Sequence, residues 1–300
     1  MRRDQPDLAR FELNLAEMRR IRWFREAMRN MRLIIIGGDV RNLCLAELAR
    51  AHGHDVALIG HGESDLPPGG EYDAAALPYP VAEKDGRAPC AGEAIPMDAA
   101  MAHAAQGARV FAAKPGPALE AILTQKGCIR IDPSRDEAFT MENAAITAEC
   151  ALCAMTACAR ECLFGAPCAV VGYGRIGRAL ALRLRGVGAK VTVLARSAVA
   201  RATARADGMD AEPIAGEHAG QWRFVFNTVP ADVAGEALLS RCAPGAFAME
   251  LASAPYGIDF EAAKRLDVTA WIEGGLPGRM APKSAAAAML SLIERTMDGA

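Results

Sequence analysis

Gly172, Gly174 and Gly177 stand at G-x-G-x-x-G spacing directly after the apolar run Ala169-Val170-Val171. The first glycine of such a run permits a tight turn, the second lets backbone approach a pyrophosphate, and the third lets the following helix pack against the strand. Tyr173, Arg175 and Ile176 complete the turn, and the helix it opens offers free N–H groups to an anion. The helical stretch runs through Arg185, and Val191-Thr192-Val193-Leu194 follows the Gly186/Gly188 turn as a second buried strand. That context completes a βαβ unit and makes the run a dinucleotide fingerprint. Enzymes for NAD usually place an acid after the second strand, on the ribose 2′-hydroxyl; here stands Ala195-Arg196-Ser197. A guanidinium beside a hydroxyl suits a 2′-phosphate, so NADP is favoured over NAD; the competing reading of Arg196 is a solvated loop residue.

Further polar groups gather where later strands end. Phe224-Val225-Phe226 runs into Asn227-Thr228-Val229-Pro230, 247–251 runs into Ala252-Ser253, and 268–272 leads to a Gly/Pro-rich loop with Gly275, Pro277, Gly278, Arg279 and Lys283. In wound α/β folds ligands bind outside the carboxyl ends of the strands. Thr228, Val229 and Pro230 are therefore expected to line the cofactor, and Ser253 and the Gly275–Gly278 loop the substrate. The alanine-rich stretch 142–163 is helix-favouring and joins two domains, and Asn143, Thr147 and Glu149 interrupt it. A hinge is a natural place for an acid, a base or a hydrogen-bonding group. Cys150, Cys153, Cys158 and Cys162 on the same stretch read as small packing residues on one or two helix faces, because no matching Cys or His cluster follows; no metal is expected.

The elements that must carry these residues give an α/β fold of two wound, Rossmann-like domains with mostly parallel sheets, the C-terminal one holding the dinucleotide. In the first, Leu33-Ile34-Ile35-Ile36 runs into Gly37-Gly38-Asp39, a helix follows to Arg50, and a second strand covers 56–59. The glycine pattern is incomplete there, so this domain should share the plan without holding the dinucleotide. Gly38, Asp39 and Arg41 open its helix, where a substrate carboxylate could be held. A loop-rich stretch at 62–97, with a short strand at 75–77, precedes strands at 110–113 and 127–131 around a helix at 117–126. The expected division is 1–30 a basic amphipathic helix, 31–142 the substrate or partner domain, 143–280 the NAD(P) domain, and 281–300 a helix packing back at the junction.

A chain of 300 residues supports two domains, and a net charge of -2 gives no electrostatic case for nucleic acid or an anionic membrane. No apolar run reaches the roughly 18 residues a bilayer span needs, and the N-terminus has no signal-peptide core, so a cytosolic location is expected. Nine scattered cysteines suit a reducing compartment without disulfides.

Several motifs in order make the chain resemble the dipicolinate synthase A-subunit family from about Met31 onward: Gly37-Gly38-Asp39-x-Arg41, the 172–177 turn, Ala195-Arg196-Ser197, Asn227-Thr228-Val229-Pro230, Leu251-Ala252-Ser253 and Leu276-Pro277-Gly278-x-x-Ala281-Pro282-Lys283-Ser284-Ala285. The resemblance implies an NADP-linked oxidoreductase of sporulating bacteria that makes dipicolinic acid from a dihydrodipicolinate-type precursor. It also implies a partner, the flavoprotein-like B subunit of dipicolinate synthase. On this reading Glu149 is the base, Thr147 and Asn227 position the substrate, and Arg41 and Lys283 anchor its two carboxylates. The chain departs from the family at Ser253-Ala254-Pro255-Tyr256-Gly257, where the family's arginine is missing, and at Ile146-Thr147-Ala148-Glu149-Cys150, where Glu149 is retained.

Other classes stay open. A 2-hydroxyacid dehydrogenase needs a late acid/base histidine, and the last one here is His218, before the relevant strand ends. A shikimate-type enzyme needs a lysine in the first domain, for which only Lys114 stands out. A non-catalytic NADP sensor would bind cofactor and turn nothing over.

Overall fold

In a computed structural model, residues 30–62, 70–90, 92–215 and 221–299 are described. The helix expected before the first strand, apart from Asn30, and His218 lie outside them. The chain forms two compact units, Met1–Pro133 with Met289–Ala300, and Ser134–Ala288.

The first unit contains β1 (Arg32–Ile36), α1 (Val40–Ala51), β2 (Asp55–Ile59), β3 (Tyr72–Ala76), a small antiparallel pair β4 (Arg87–Ala88) and β5 (Ile95–Pro96), α2 (Met97–Ala100), β6 (Ala104–Phe111), α3 (Pro117–Gln125) and β7 (Ile129–Ile131). Its sheet runs β2-β1-β3-β6-β7, with every pair parallel. With the small pair set aside this is the doubly wound order 2-1-3-4-5. The unbroken apolar run of β1 is what a parallel strand covered on both faces requires, and Leu33, Ile34, Ile35 and Ile36 are all fully buried.

The second unit contains α4 (Glu137–Ala159), β8 (Pro167–Val171), α5 (Arg175–Gly186), β9 (Lys190–Leu194), α6 (Ala198–Ala206), β10 (Asp210–Glu212), β11 (Trp222–Asn227), α7 (Glu236–Leu239), β12 (Cys242–Glu250), α8 (Phe260–Arg265), β13 (Thr269–Ile272) and α9 (Leu276–Met280). A last helix, α10 (Pro282–Asp298), begins in this unit and ends in the first. The sheet order is β10-β9-β8-β11-β12-β13, again all parallel. Counted within the unit this is 3-2-1-4-5-6, the order of dinucleotide-binding folds, with its switch point between β8 and β11. Strand alternation divides the core between two faces. Val170, Val193, Phe224 and Phe226 pack with Leu180 and Leu184 of α5 and with Ala148, Ala151 and Met155 of α4. Ala169, Val171, Val225 and Ala248 pack with Trp222, Leu238 and Ala262 on the other face.

Three expectations change. The helix read at 142–163 starts at Glu137, where Asp136 caps it by accepting the Phe139 N–H at 2.7 Å, and it stops after Ala159 at Arg160, which is left-handed at φ 55°. Of its thiols only Cys150 is buried; Cys153 and Cys158 face solvent, and Cys162 lies beyond the helix end and is exposed. The Gly/Pro-rich loop at 275–280 is the short helix α9, because Pro277 fits a first helical turn, and Leu276, Pro277 and Gly278 are buried. Among the described residues no helix is long and apolar enough to cross a membrane.

Leu180 is fully buried between α5 and the sheet. Leu180→Ala is expected to cost about 2–5 kcal/mol, read as a lower urea midpoint by circular dichroism. An unchanged midpoint would contradict this packing.

Candidate functional site

At the carboxyl end of β8 the chain turns through Gly172, with φ +93°, into α5. A Cβ on Gly172 would lie 2.6 Å from Thr228 Oγ1, and one on Gly177 would lie 2.3 Å from the Gly172 carbonyl oxygen. At Gly177 a side chain would require backbone movement, and at Gly172 it would strain the positive φ and displace the Thr228 and Val229 side chains. Gly174 is different, since a Cβ there would meet nothing within 4 Å. It caps α5 without a side-chain hydrogen bond, so no cap side chain takes the first-turn amides of Arg175, Ile176 and Gly177. Closed glycines that set the turn and an open one at the head of the helix fit a pyrophosphate.

Neighbouring groups hold this seat. The Thr228 amide and hydroxyl both donate to the Val171 carbonyl, at 2.9 and 2.8 Å, clamping the ends of β8 and β11 together. Arg175 pairs with Glu137 at 2.5 Å and holds that carboxyl below its ordinary pKa. The Tyr173 hydroxyl donates to Asp207 at 2.7 Å, and Arg178 donates to the same carboxylate at 2.8 Å. Burial, with the Asp207 charge beside it, pushes the Tyr173 phenol up, so it stays a neutral donor.

After β9, Arg196 and Ser197 are exposed, and Ser197 Oγ caps α6 by accepting the Ala200 N–H at 3.4 Å. Arg201, which no motif singles out, donates to the carbonyls of Ala195 and Arg196 at 2.8 and 2.6 Å and so brings a second guanidinium to this corner. Its only signal in the sequence is its position in the first turn of the helix after Arg196. A cavity of about 550 Å³ opens here, lined among the described residues by Arg196, Ile214, Asp232, Val233, Glu236 and Leu238 with their neighbours. Its size is that of a small-molecule site, and its walls join the β9 corner to the segment that follows Pro230. Val229 and Pro230 begin that segment.

Asn227 departs from its expected role. It is fully buried, with Nδ2 2.8 and 2.9 Å from the two oxygens of Glu250 and 2.9 Å from the Val229 carbonyl, while Oδ1 accepts the Val229 N–H at 3.1 Å. Both ends of the amide face protein, so Asn227 positions the strand ends and does not touch substrate. Its partner Glu250, also fully buried, accepts from the amides of Ala252, Gly257 and Ile258 at 2.9, 2.7 and 3.0 Å. This carboxylate organises the whole turn after β12, including exposed Ser253. An acid at the end of an apolar strand is the sequence signal for Glu250.

Thr147 also differs. It is buried, and its hydroxyl donates to the Asn143 carbonyl at 2.7 Å within α4. Glu149 is exposed on the same helix, and Lys283 is exposed in the first turn of α10. Gly275 is left-handed at φ +65° and caps α9, whereas Pro277 and Gly278 are buried in its first turn.

In the first unit the corresponding glycine turn is filled by its own chain. Gly38 donates to the Pro89 carbonyl at 2.7 Å, and a Cβ on Gly37 would lie 2.3 Å from that oxygen. Asp39 caps α1 by accepting the Arg41 N–H at 2.9 Å. The Arg41 side chain grips Asp39 through Nε and Nη2 and donates through Nη1 to the Tyr79 carbonyl at 2.8 Å. Arg41 is therefore engaged inside the unit and is not a free carboxylate anchor. Burial acts to raise the Asp39 pKa, but the Arg41 hydrogen bonds outweigh it and leave the carboxyl below its ordinary value.

Fold order, open glycine seat and β9 corner define a nicotinamide-dinucleotide domain of dehydrogenase type. The family described as "D-isomer specific 2-hydroxyacid dehydrogenase, NAD binding domain" matches residues 144–249. The chain is 32% identical over 139 residues to the dipicolinate synthase A subunit of Bacillus subtilis (strain 168), an alignment spanning 45% of this chain and 46% of that protein. The match thus covers about half the length of the curated relative. The crystal structure of the dipicolinate synthase A subunit from Bacillus halodurans superposes with a TM-score of 0.79 at 24% identity, covering 90% of this chain and 98% of that one. Its Bacillus subtilis counterpart gives 0.78 at 23% identity, covering 90% and 97%. The resemblance to the dipicolinate synthase A-subunit family carried by the motifs therefore holds in sequence over that stretch, and these structures share the fold.

Gly174→Ala is expected to leave the thermal midpoint unchanged and to weaken dinucleotide binding about tenfold or more in a fluorescence titration, because the new methyl group occupies ligand space. Equal affinity would remove the pyrophosphate from this turn. Glu250→Gln places an amide against backbone donors and is expected to lower stability by about 2–3 kcal/mol in chemical unfolding. A neutral result would contradict the buried carboxylate's organising role.

Proposed function

We propose that this chain is the A subunit of a dipicolinate synthase, oxidising a dihydrodipicolinate-type dicarboxylate to dipicolinic acid with NADP, in the cytoplasm of a sporulating cell and in partnership with a B subunit. The observation that carries the reading is the open Gly174 seat in a chain 32% identical over 139 residues to the dipicolinate synthase A subunit. The pyrophosphate is assigned to the amides of Arg175, Ile176 and Gly177, and the adenosine end to the cavity at Arg196 and Val233. A 2′-phosphate is assigned to Arg196, with Arg201 adding positive charge behind it. When bound, the dinucleotide supplies a hydride acceptor.

Aromatising a dihydropyridine removes one hydride and one proton. Glu149, an exposed carboxylate on α4, is assigned the proton. Lys283 is assigned a substrate carboxylate: a lysine in the first turn of a helix faces the positive end of the helix dipole and is favoured there only with an anion beside it. The second reading is a D-2-hydroxyacid dehydrogenase, favoured by the domain match over 144–249.

In a coupled assay with aspartate semialdehyde, pyruvate and dihydrodipicolinate synthase, the chain with and without a B subunit is expected to raise dipicolinate's near-ultraviolet absorbance. Silence there together with oxidation of D-2-hydroxyacids would select the second reading, and silence with both substrate sets alongside NADP binding would select a sensor. Glu149→Gln is expected to lower kcat by about 10²–10⁴ with dinucleotide affinity kept; an unchanged kcat would take the proton away from Glu149. Arg196→Ala is expected to cut the preference for NADP over NAD about tenfold or more in kcat/KM, as loss of a charge-assisted phosphate contact does. An unchanged ratio would leave Arg196 a solvated loop residue.

A further inference from the structure

The first unit holds a second, chemically distinct cluster, made of residues to which no role is assigned above. His52 ends α1, Gly53 turns at φ +92°, and His54 enters β2, so the turn delivers two imidazoles on either side of one glycine. Both converge on Glu294 of α10, with His52 Nδ1 at 2.7 Å and His54 Nε2 at 3.1 Å from the same oxygen, Oε1. The three ligand atoms lie within 4.8 Å of one another.

The His54 side chain is only 3% exposed, and its ring is held through Nε2, the nitrogen that faces Glu294. Both imidazoles thus share one carboxylate oxygen, with the buried ring fixed in place beside the more exposed His52.

We infer that His52, His54 and Glu294 form a binding site for a divalent transition-metal ion, Zn²⁺ foremost. Two imidazoles and one carboxylate are a zinc donor set with a fourth position open to water, and imidazole donors exclude Mg²⁺ and Ca²⁺. Ligand bonds of about 2.0–2.2 Å place donor atoms a little over 3 Å apart, so the present spacing closes onto an ion with small side-chain movements. The bound ion ties the last turns of α10 to the α1–β2 turn of the same unit. It takes no part in the proposed oxidation.

The test uses the full chain, stripped with a chelator and with accessible thiols alkylated, because Cys153, Cys158 and Cys162 are exposed competitors. Titration with Co²⁺ is expected to give one equivalent of intense visible ligand-field absorption, without thiolate charge transfer, displaced by Zn²⁺. His52→Ala and Glu294→Gln are each expected to weaken binding at least about tenfold, since losing even a group that only supports a ligand costs that much. His61→Ala is expected to leave it unchanged. The His52 side chain is 38% exposed, so His52→Ala keeps the test valid if Glu294→Gln does not fold. Absorption no stronger than that of the aqua ion, or equal affinity in wild type and His52→Ala, would overturn the site.

Discussion

The contact on which the second unit depends is the approach of Gly177 to the Gly172 carbonyl, where a single methyl group would sit 2.3 Å from oxygen. It lets α5 start directly after the turn that follows β8. Everything around that contact serves to keep it. Thr228 ties β11 to the last carbonyl of β8, and Asn227 is locked by Glu250 one strand further on. The chain thus fixes the carboxyl edge of three successive strands through buried polar bonds, and puts no side chain at the Gly174 cap. Such a division is physically sensible, because donors that are held rigid and left unpaired reorganise little when an anion arrives.

The two units solve the same topological problem in opposite ways. Both are wound parallel sheets, and both place a glycine turn at the switch point. In the first unit the Pro89 carbonyl takes the Gly38 amide, and the Asp39 carboxylate caps α1 and holds Arg41. The donors that would attract a phosphate are already satisfied by the protein. In the second unit the cap is a glycine, which has no side chain to take those donors. The sequence difference at the cap, Asp39 against Gly174, acts together with the Pro89 segment over the first turn to separate a closed turn from an open one.

That difference is legible in the sequence, as are the parallel strands, since buried runs such as Leu33–Ile36 and Ala169–Val171 mark parallel sheets and glycine spacing marks the turn. The polar residues are harder to read. Asn227 and Thr147 resemble site residues by type, yet one is sealed against Glu250 and the other bonds its own helix. Side-chain type does not say which way a residue faces at a strand end or on a helix that is apolar nearly all round. Arg41 misleads for a related reason: its partners Asp39 and Tyr79 meet it only through a loop whose path has no local sequence signal. Glu250 and Arg201 escape a sequence reading because each acts through backbone groups, and backbone geometry is invisible before folding.

The most direct test of the central claim is a crystal structure of the full chain grown with NADP. Pyrophosphate density is expected against the amides of Arg175, Ile176 and Gly177, with the adenosine end in the cavity beside Arg196. Density for the dinucleotide at the Gly37–Gly38 turn of the first unit, or an empty second unit at saturating NADP, would contradict it.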